Sequence, residues 1–132
     1  MISESSKKTI LIVDDDDGIR EYLEILIKRE GFNTQTAPTG KVAKDLSKAL
    51  KPDLIILDLM LPGYGGFEIL RELQMDEETA KIPIIVITGK YIDRTTAEMI
   101  KMEPNVFDFL EKPIKNDILI SLIYKALKIQ KK

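Results

Sequence analysis

Cysteine is absent from all 132 residues, so neither a disulfide framework nor a thiolate metal site is available, and no redox compartment is implied. Histidine is absent too, which removes the commonest general base and metal ligand and rules out a phosphohistidine on this chain. Nor is there an excess of charge of one sign. The 20 basic and 22 acidic residues leave a net −2, which gives no reason to expect direct contact with nucleic acid. The basic ends, Lys7-Lys8 and Lys128 to Lys132, read as solvated tails. No apolar run approaches the roughly 18 residues of a membrane span, and Met1 to Lys8 is short and polar. The expectation is therefore a soluble, cytoplasmic chain without membrane contact. Its length suits one domain, which buries roughly two-thirds of its unfolded-state surface around a single core.

What the chain does have is a set of short apolar runs that end on polar residues. The most informative is Leu54-Ile55-Ile56-Leu57, which closes on Asp58 and turns into the Pro/Gly-rich stretch Pro62-Gly63-Tyr64-Gly65-Gly66. Four apolar residues without polar alternation suit a strand buried on both faces, as parallel strands between helices are. Ile10 to Val13 is a second such run and ends on Asp14 to Asp17; a third, Ile82 to Ile87, ends on Thr88-Gly89. Val106 to Leu110 leads to Lys112-Pro113, and Phe32 to Ala37 is more polar and belongs at a sheet edge.

Between the runs lie helical patterns. Ile19, Tyr22, Leu23, Leu26 and Ile27 make one apolar stripe, with Asp16 or Asp17 as its cap and Gly31 at its end. Thr39 or Gly40 opens a helix bearing Val42, Ala43, Leu46 and Leu50; Phe67, Ile69, Leu70 and Leu73 mark a third. Tyr91 to Met102 is a poor helix former, anchored by Ile92, Met99 and Ile100, and is expected to be the least stable. A last helix spans about Asn116 to Ile129. Five strand–helix alternations predict a doubly wound parallel sheet with helices on both faces, and strand ends converging on one rim.

That rim gathers Asp14, Asp15, Asp58, Thr88 and Lys112. Carboxylates about 4 Å apart repel by roughly 4 kcal/mol per pair at an effective dielectric of 20, so a positive charge belongs among them. Oxygen ligands without His or Cys favour a magnesium-type ion, Mg²⁺ or Mn²⁺. Lys112 adds a fixed cation, and the Thr88 hydroxyl is a donor for a phosphate oxygen. Carboxylate nucleophile, metal, ammonium and hydroxyl together describe phosphoryl transfer onto an aspartate.

In this order and spacing the residues resemble the receiver domain of two-component response regulators, whose single-domain members include the bacterial chemotaxis regulator. The resemblance rests on Ile10 to Asp15, on Asp58 with Pro62 and Gly66 four and eight residues on, on Thr88-Gly89 and on Lys112-Pro113. It covers residues 9–129, with 1–8 and 130–132 as tails. It implies a flavodoxin-like five-stranded sheet of order 2-1-3-4-5. It also implies that Asp58 is the phosphoacceptor and a metal ligand, Asp15 a direct ligand, Asp14 a ligand through water, and the Met60 backbone carbonyl a further ligand. Lys112 becomes the phosphate partner, and Thr88 and Phe109 the switch pair. The phosphoryl donor is a sensor histidine kinase or histidine phosphotransfer protein; the downstream protein target has no signature here. The domain promotes its own phosphorylation without turning over a separate substrate.

Several departures from the family pattern stand out. Phe109 holds a position often occupied by tyrosine, so its coupling to Thr88 works by packing. Leu61 and Gly65 replace a frequent methionine and a polar residue, and Glu103-Pro104-Asn105 replaces a glycine-containing turn in which Asn105 suits a left-handed conformation. Met60 and Lys90 occupy the positions two after Asp58 and two after Thr88; neither is suited to orienting an attacking water, which predicts a persistent phosphoryl group. Asp16 and Asp17 read as helix caps ahead of metal ligands.

Rival readings make different demands. Asp15-Asp16-Asp17-Gly18 resembles the nucleophile motif of haloacid-dehalogenase-type phosphatases, but no later strand supplies that family's acidic pair. A phosphorylation-independent receiver has no use for the full acidic, Thr and Lys set, and flavin binding lacks a hydroxyl-rich phosphate cradle. In the last helix, Ile118, Leu119, Leu122 and Ala126 suit the sheet-facing side. Ile120, Tyr124 and Leu127 form a second stripe, either core or a partner surface such as a phosphorylation-dependent dimer. Lysine at Tyr124 separates these by unfolding the chain or by abolishing association.

Overall fold

Each apolar run becomes a strand. The computed structural model describes residues 7–60, 66–89 and 93–131. It contains β1 (Thr9–Val13), α1 (Asp17–Arg29), β2 (Asn33–Ala37), α2 (Gly40–Leu50), β3 (Leu54–Asp58), α3 (Gly66–Met75), β4 (Ile84–Thr88), α4 (Arg94–Met102), β5 (Val106–Glu111) and α5 (Asn116–Leu127). Leu61 to Gly65, Lys90 to Ile92 and the first six residues, on which several expectations above fall, lie outside the described residues.

The five strands form one parallel sheet in the order β2-β1-β3-β4-β5, as the resemblance implies. β3 and β4 are buried along their whole length, while the polar β2 lies at one edge. Side-chain alternation along the strands divides the core in two. Ile10, Ile12, Leu54, Ile56, Ile85 and Ile87 point to one face, against Leu23 and Ile27 of α1 and Leu119 and Ile123 of α5. Leu11, Val13, Ile55, Leu57, Ile84 and Val86 point to the other, against Ala43 of α2, Ile69 and Leu73 of α3, and Ile100 of α4.

Local chemistry sets the element ends. Asp16 caps α1 by accepting the Ile19 N–H at 2.9 Å, and Gly31 takes φ 95° after it. Thr39 caps α2, and Asp93 caps α4 through the Thr96 N–H at 2.7 Å. A register shift at Ile84/Ile85 leaves Phe107 of β5 without a counterpart on β4. Past that irregularity Phe109 joins the face covered by α4, and the strand runs on to deliver Lys112 to the rim.

Several helix faces depart from expectation. α2 turns Gly40, Ala43 and Ser47 inward with Leu46 packed half-buried against the same core, and leaves Val42 and Leu50 exposed. Ser47 is accommodated by donating its hydroxyl to the Ala43 carbonyl at 2.7 Å. Met99 on α4 and Ile118 on α5 are also exposed. By contrast, the second stripe of α5, Ile120, Tyr124 and Leu127, is buried in the core, Tyr124 against Phe32. Those three side chains are taken up by packing, so the second stripe belongs to the core. Asn105 does not adopt the left-handed backbone. It is buried and donates its amide to the Leu70 carbonyl at 3.0 Å, while the Val106 N–H closes the turn onto Glu103.

Candidate functional site

The parallel sheet places the carboxyl ends of β1, β3 and β4 side by side, so residues far apart in sequence meet there. Asp14 follows β1, Asp58 ends β3 and Thr88 ends β4; the relative exposures of the three are 1%, 4% and 0%. Asp15 is exposed beside them. One carboxylate oxygen from each of Asp14, Asp15 and Asp58 lies within 4.8 Å of the others, and this is the acidic group suited to a cation among the described residues. Asp16 and Asp17 are not in it, in keeping with the cap bond of Asp16.

Lys112 reaches the cluster from the segment after β5. Its N–H donates to the Thr88 carbonyl at 2.8 Å, continuing the β4–β5 pairing by one residue. Its Nζ then lies 3.2 Å from Asp14 Oδ2 and 3.5 Å from Asp58 Oδ2. The stem crosses Gly89, where an added Cβ would stand 3.4 Å from Lys112 Cδ, and the following Lys112–Pro113 peptide is cis. Burial lowers the affinity of the ammonium for its proton, but the hydrogen bond to Asp14 and the charges of Asp58 and Asp14 outweigh it, so its pKa is raised overall.

The carboxyl of Asp58 is pushed above the ordinary range by burial, with the neighbouring Asp14 charge adding to the effect; the Met60 N–H and Lys112 act against it. That Met60 N–H donates to Asp58 Oδ1 at 2.9 Å, which fixes one oxygen and leaves Oδ2 toward Lys112. The Asp16 N–H holds Asp14 Oδ1 in the same way at 2.9 Å. Two buried carboxylates thus share one lysine, and a hard divalent cation fits this all-oxygen set because it supplies the missing positive charge.

Thr88 is fully buried at the end of β4. Phe109 is partly buried on the α4 side of β5, with the Lys101 ammonium of α4 5.2 Å from its ring centroid. Arg20 is a participant that sequence reading passed over. Its Nη1 donates to the Asp14 carbonyl at 2.8 Å, and Nη2 pairs with Asp17. The only hint in the sequence is a basic residue three positions after the acid that opens a helix.

Comparison with known proteins agrees with this geometry. The family model of the response regulator receiver domain matches residues 10–124. The chain is 34% identical over 120 residues to the transcriptional regulatory protein AfsQ1 of Streptomyces coelicolor, covering 91% of this chain and 51% of that one. It is 36% identical over 121 residues to the phosphate regulon transcriptional regulatory protein PhoB of Pseudomonas aeruginosa, covering 92% and 52%. The chain therefore spans about half the length of these curated relatives. Among solved structures it is similar to the signal receiver domain of a signal transduction histidine kinase from Syntrophus aciditrophicus, with TM-score 0.81, 29% identity, and coverage of 92% and 90%. With five parallel strands in the 2-1-3-4-5 order and an acidic rim at their carboxyl ends, the chain belongs to the response regulator receiver domain family of two-component signalling.

Proposed function

We propose that Asp58 is the phosphoacceptor of this receiver, taking a phosphoryl group from a histidine on a sensor kinase or phosphotransfer protein. The observation that carries the reading is the junction of Asp58 with Asp14, Asp15 and Lys112 at the ends of separate strands. A Mg²⁺ ion held by Asp15, Asp58 and the Met60 carbonyl, with Asp14 acting through water, would neutralise charge on the oxygens of the group in transit. The remaining work falls to the protein. Asp58 Oδ1 is pinned by the Met60 N–H, so the other oxygen is oriented for attack. As its bond to phosphorus forms, the phosphorus–nitrogen bond to the donor imidazole breaks. Lys112, already within 3.5 Å of Asp58, stabilises both the nucleophile and the transferred group. In this reading residues 9–129 act as the receiver, turn over no separate substrate, and Thr88 and Phe109 carry the response.

Output lies beyond this site. The relatives spanned for about half their length include transcriptional regulatory proteins and proteins named DNA-binding response regulators. Absence of direct nucleic-acid contact is thus proposed for these 132 residues alone. No helix among the described residues is long and apolar enough to cross a membrane, which supports action away from the bilayer.

The test is intact-protein mass after incubation with acetyl phosphate, with and without Mg²⁺. One added phosphoryl group that requires Mg²⁺ and disappears in Asp58→Ala supports the assignment. Labelling that survives Asp58→Ala but is lost in Asp15→Ala moves the nucleophile to β1 and refutes it.

A further inference from the structure

Four consecutive aspartates, Asp14 to Asp17, leave the end of β1, and a loop so charged does not hold a fixed shape unaided. Here it is tied at several points. The Asp14 N–H continues the sheet pairing to the Ala37 carbonyl at 3.2 Å, the Asp16 N–H closes onto Asp14 Oδ1, and Asp16 Oδ1 caps α1. The Asp14 carbonyl is held as well: the Arg20 guanidinium donates to it at 2.8 Å while its other nitrogen pairs with Asp17. The Arg20 side chain is only 18% exposed, whereas Asp17 is 90% exposed, so the guanidinium is packed into the loop rather than drawn outward by its ion pair.

The Asp14 carbonyl belongs to the peptide that carries Asp15. Holding its oxygen holds the plane of that peptide, and the Asp16 N–H bond to Asp14 Oδ1 restrains the backbone on the far side of Asp15, so that together they set the direction in which the exposed Asp15 leaves the turn. We infer that Arg20 is a positioning residue for the divalent-cation site: by holding the Asp14–Asp15 peptide it aims the Asp15 carboxylate at Asp14 and Asp58. The inference rests on the reading of the acidic rim as a cation site and adds to it a residue outside the ligand set. Its geometry requires the planar fork of arginine, which serves a carbonyl and a carboxylate together; a lysine ammonium supplies the charge without that fixed two-pronged arrangement.

Charge and positioning make opposite demands, which allows a decision. As a positive charge near the site, Arg20 opposes the binding of a cation, so its loss should tighten Mg²⁺ binding if charge were all that mattered. As a positioning residue, its loss should weaken binding, by about tenfold if it acts as groups that orient metal ligands do. The measurement is Mg²⁺ affinity by calorimetric titration of the native chain, Arg20→Met, Arg20→Lys and Asp15→Ala, with thermal unfolding of each recorded beside it. Weaker binding in both Arg20 variants, with the unfolding transition retained, is the expected result. Should Arg20→Met not fold, Arg20→Lys decides alone, since its charge is unchanged and a loss of affinity then reports geometry. Affinity that is unchanged in Arg20→Lys, or tighter in Arg20→Met, overturns the role of Arg20 while leaving the site intact. Native protein that binds no Mg²⁺, or binds it equally well as Asp15→Ala, overturns the site reading and the role with it.

Discussion

At the scale of single residues, if Asp58 is the phosphoacceptor as proposed, the side chains around it should govern how long the phosphoryl group lasts. Met60 follows two residues later, half exposed and with no polar atom able to align water for attack on phosphorus. An amide there supplies such a group, so Met60→Asn should shorten the lifetime of the phosphorylated chain by roughly tenfold, the scale of one well-placed hydrogen bond. Loss of label followed by intact mass after removal of acetyl phosphate checks this; equal lifetimes would show that Met60 is not what protects the group. Tyr124 offers a separate test, remote from the site. Its hydroxyl donates to Glu30 Oε1 at 2.9 Å, and burial followed by the Glu30 carboxylate pushes its pKa up to about 12. An acid whose folded-state value is raised keeps its proton longer in the folded chain than in the unfolded one. Its contribution is therefore fully present below pH 10 and is lost as pH climbs toward 12, amounting to on the order of 2 kcal/mol. Tyr124→Phe should flatten that part of the stability profile relative to native, as measured by denaturant unfolding across the interval.

At the scale of elements, helix ends were more legible than helix faces. Caps depend on a residue and its next few neighbours, and Asp16, Thr39 and Gly31 occupy the places that their chemistry suggests. Faces depend on what lies opposite. α2 offers Val42, Leu46 and Leu50 beside Gly40, Ala43 and Ser47, and packing takes the small residues together with Leu46, leaving Val42 and Leu50 exposed. The end of that helix is a site for improvement. Lys51 adopts φ 47°, a left-handed backbone that glycine enters without a Cβ penalty. Lys51→Gly should stabilise the chain by about 0.5–1 kcal/mol, read from the denaturant midpoint. A neutral or destabilising result would mean that the added freedom of the unfolded chain cancels the relief of strain.

At the scale of the whole molecule, a phosphoryl group on Asp58 would reach the surface that responds to it through β4, β5 and α4. If Asp58 accepts a phosphoryl group as proposed, one negative charge there becomes approximately two and acceptor oxygens are added. In the proposed reading the buried Thr88 would donate to them, and Phe109 would repack against α4 and its Lys101. Among the described helices α4 is the shortest, and Ile100 is its one fully buried anchor, so it is the element with least to lose by moving. Amide exchange in residues 88–110 should change on Mg²⁺-dependent phosphorylation while α1 and α2 stay constant. An unaltered 88–110 segment would eliminate this route.

The sequence by itself determined the strands, their parallel arrangement and the polar residues at or just past the ends of four of them, because a strand buried on both faces is apolar throughout and polarity returns only at its end. It also carried the acidic set at the rim, since Asp14, Asp15 and Asp58 are visible as carboxylates that close such apolar runs. Only the tertiary structure decided which of several apolar faces each helix spends on the core, that Ile120, Tyr124 and Leu127 are interior, and that Asn105 serves Leu70 instead of a left-handed turn. It alone brought Lys112 within reach of two carboxylates and Arg20 onto the Asp14 carbonyl. The physical reason is one of range. Periodicity and capping are fixed by residues a few positions apart, whereas the competition among apolar faces and the sharing of one cation by distant acids are settled when separate elements pack.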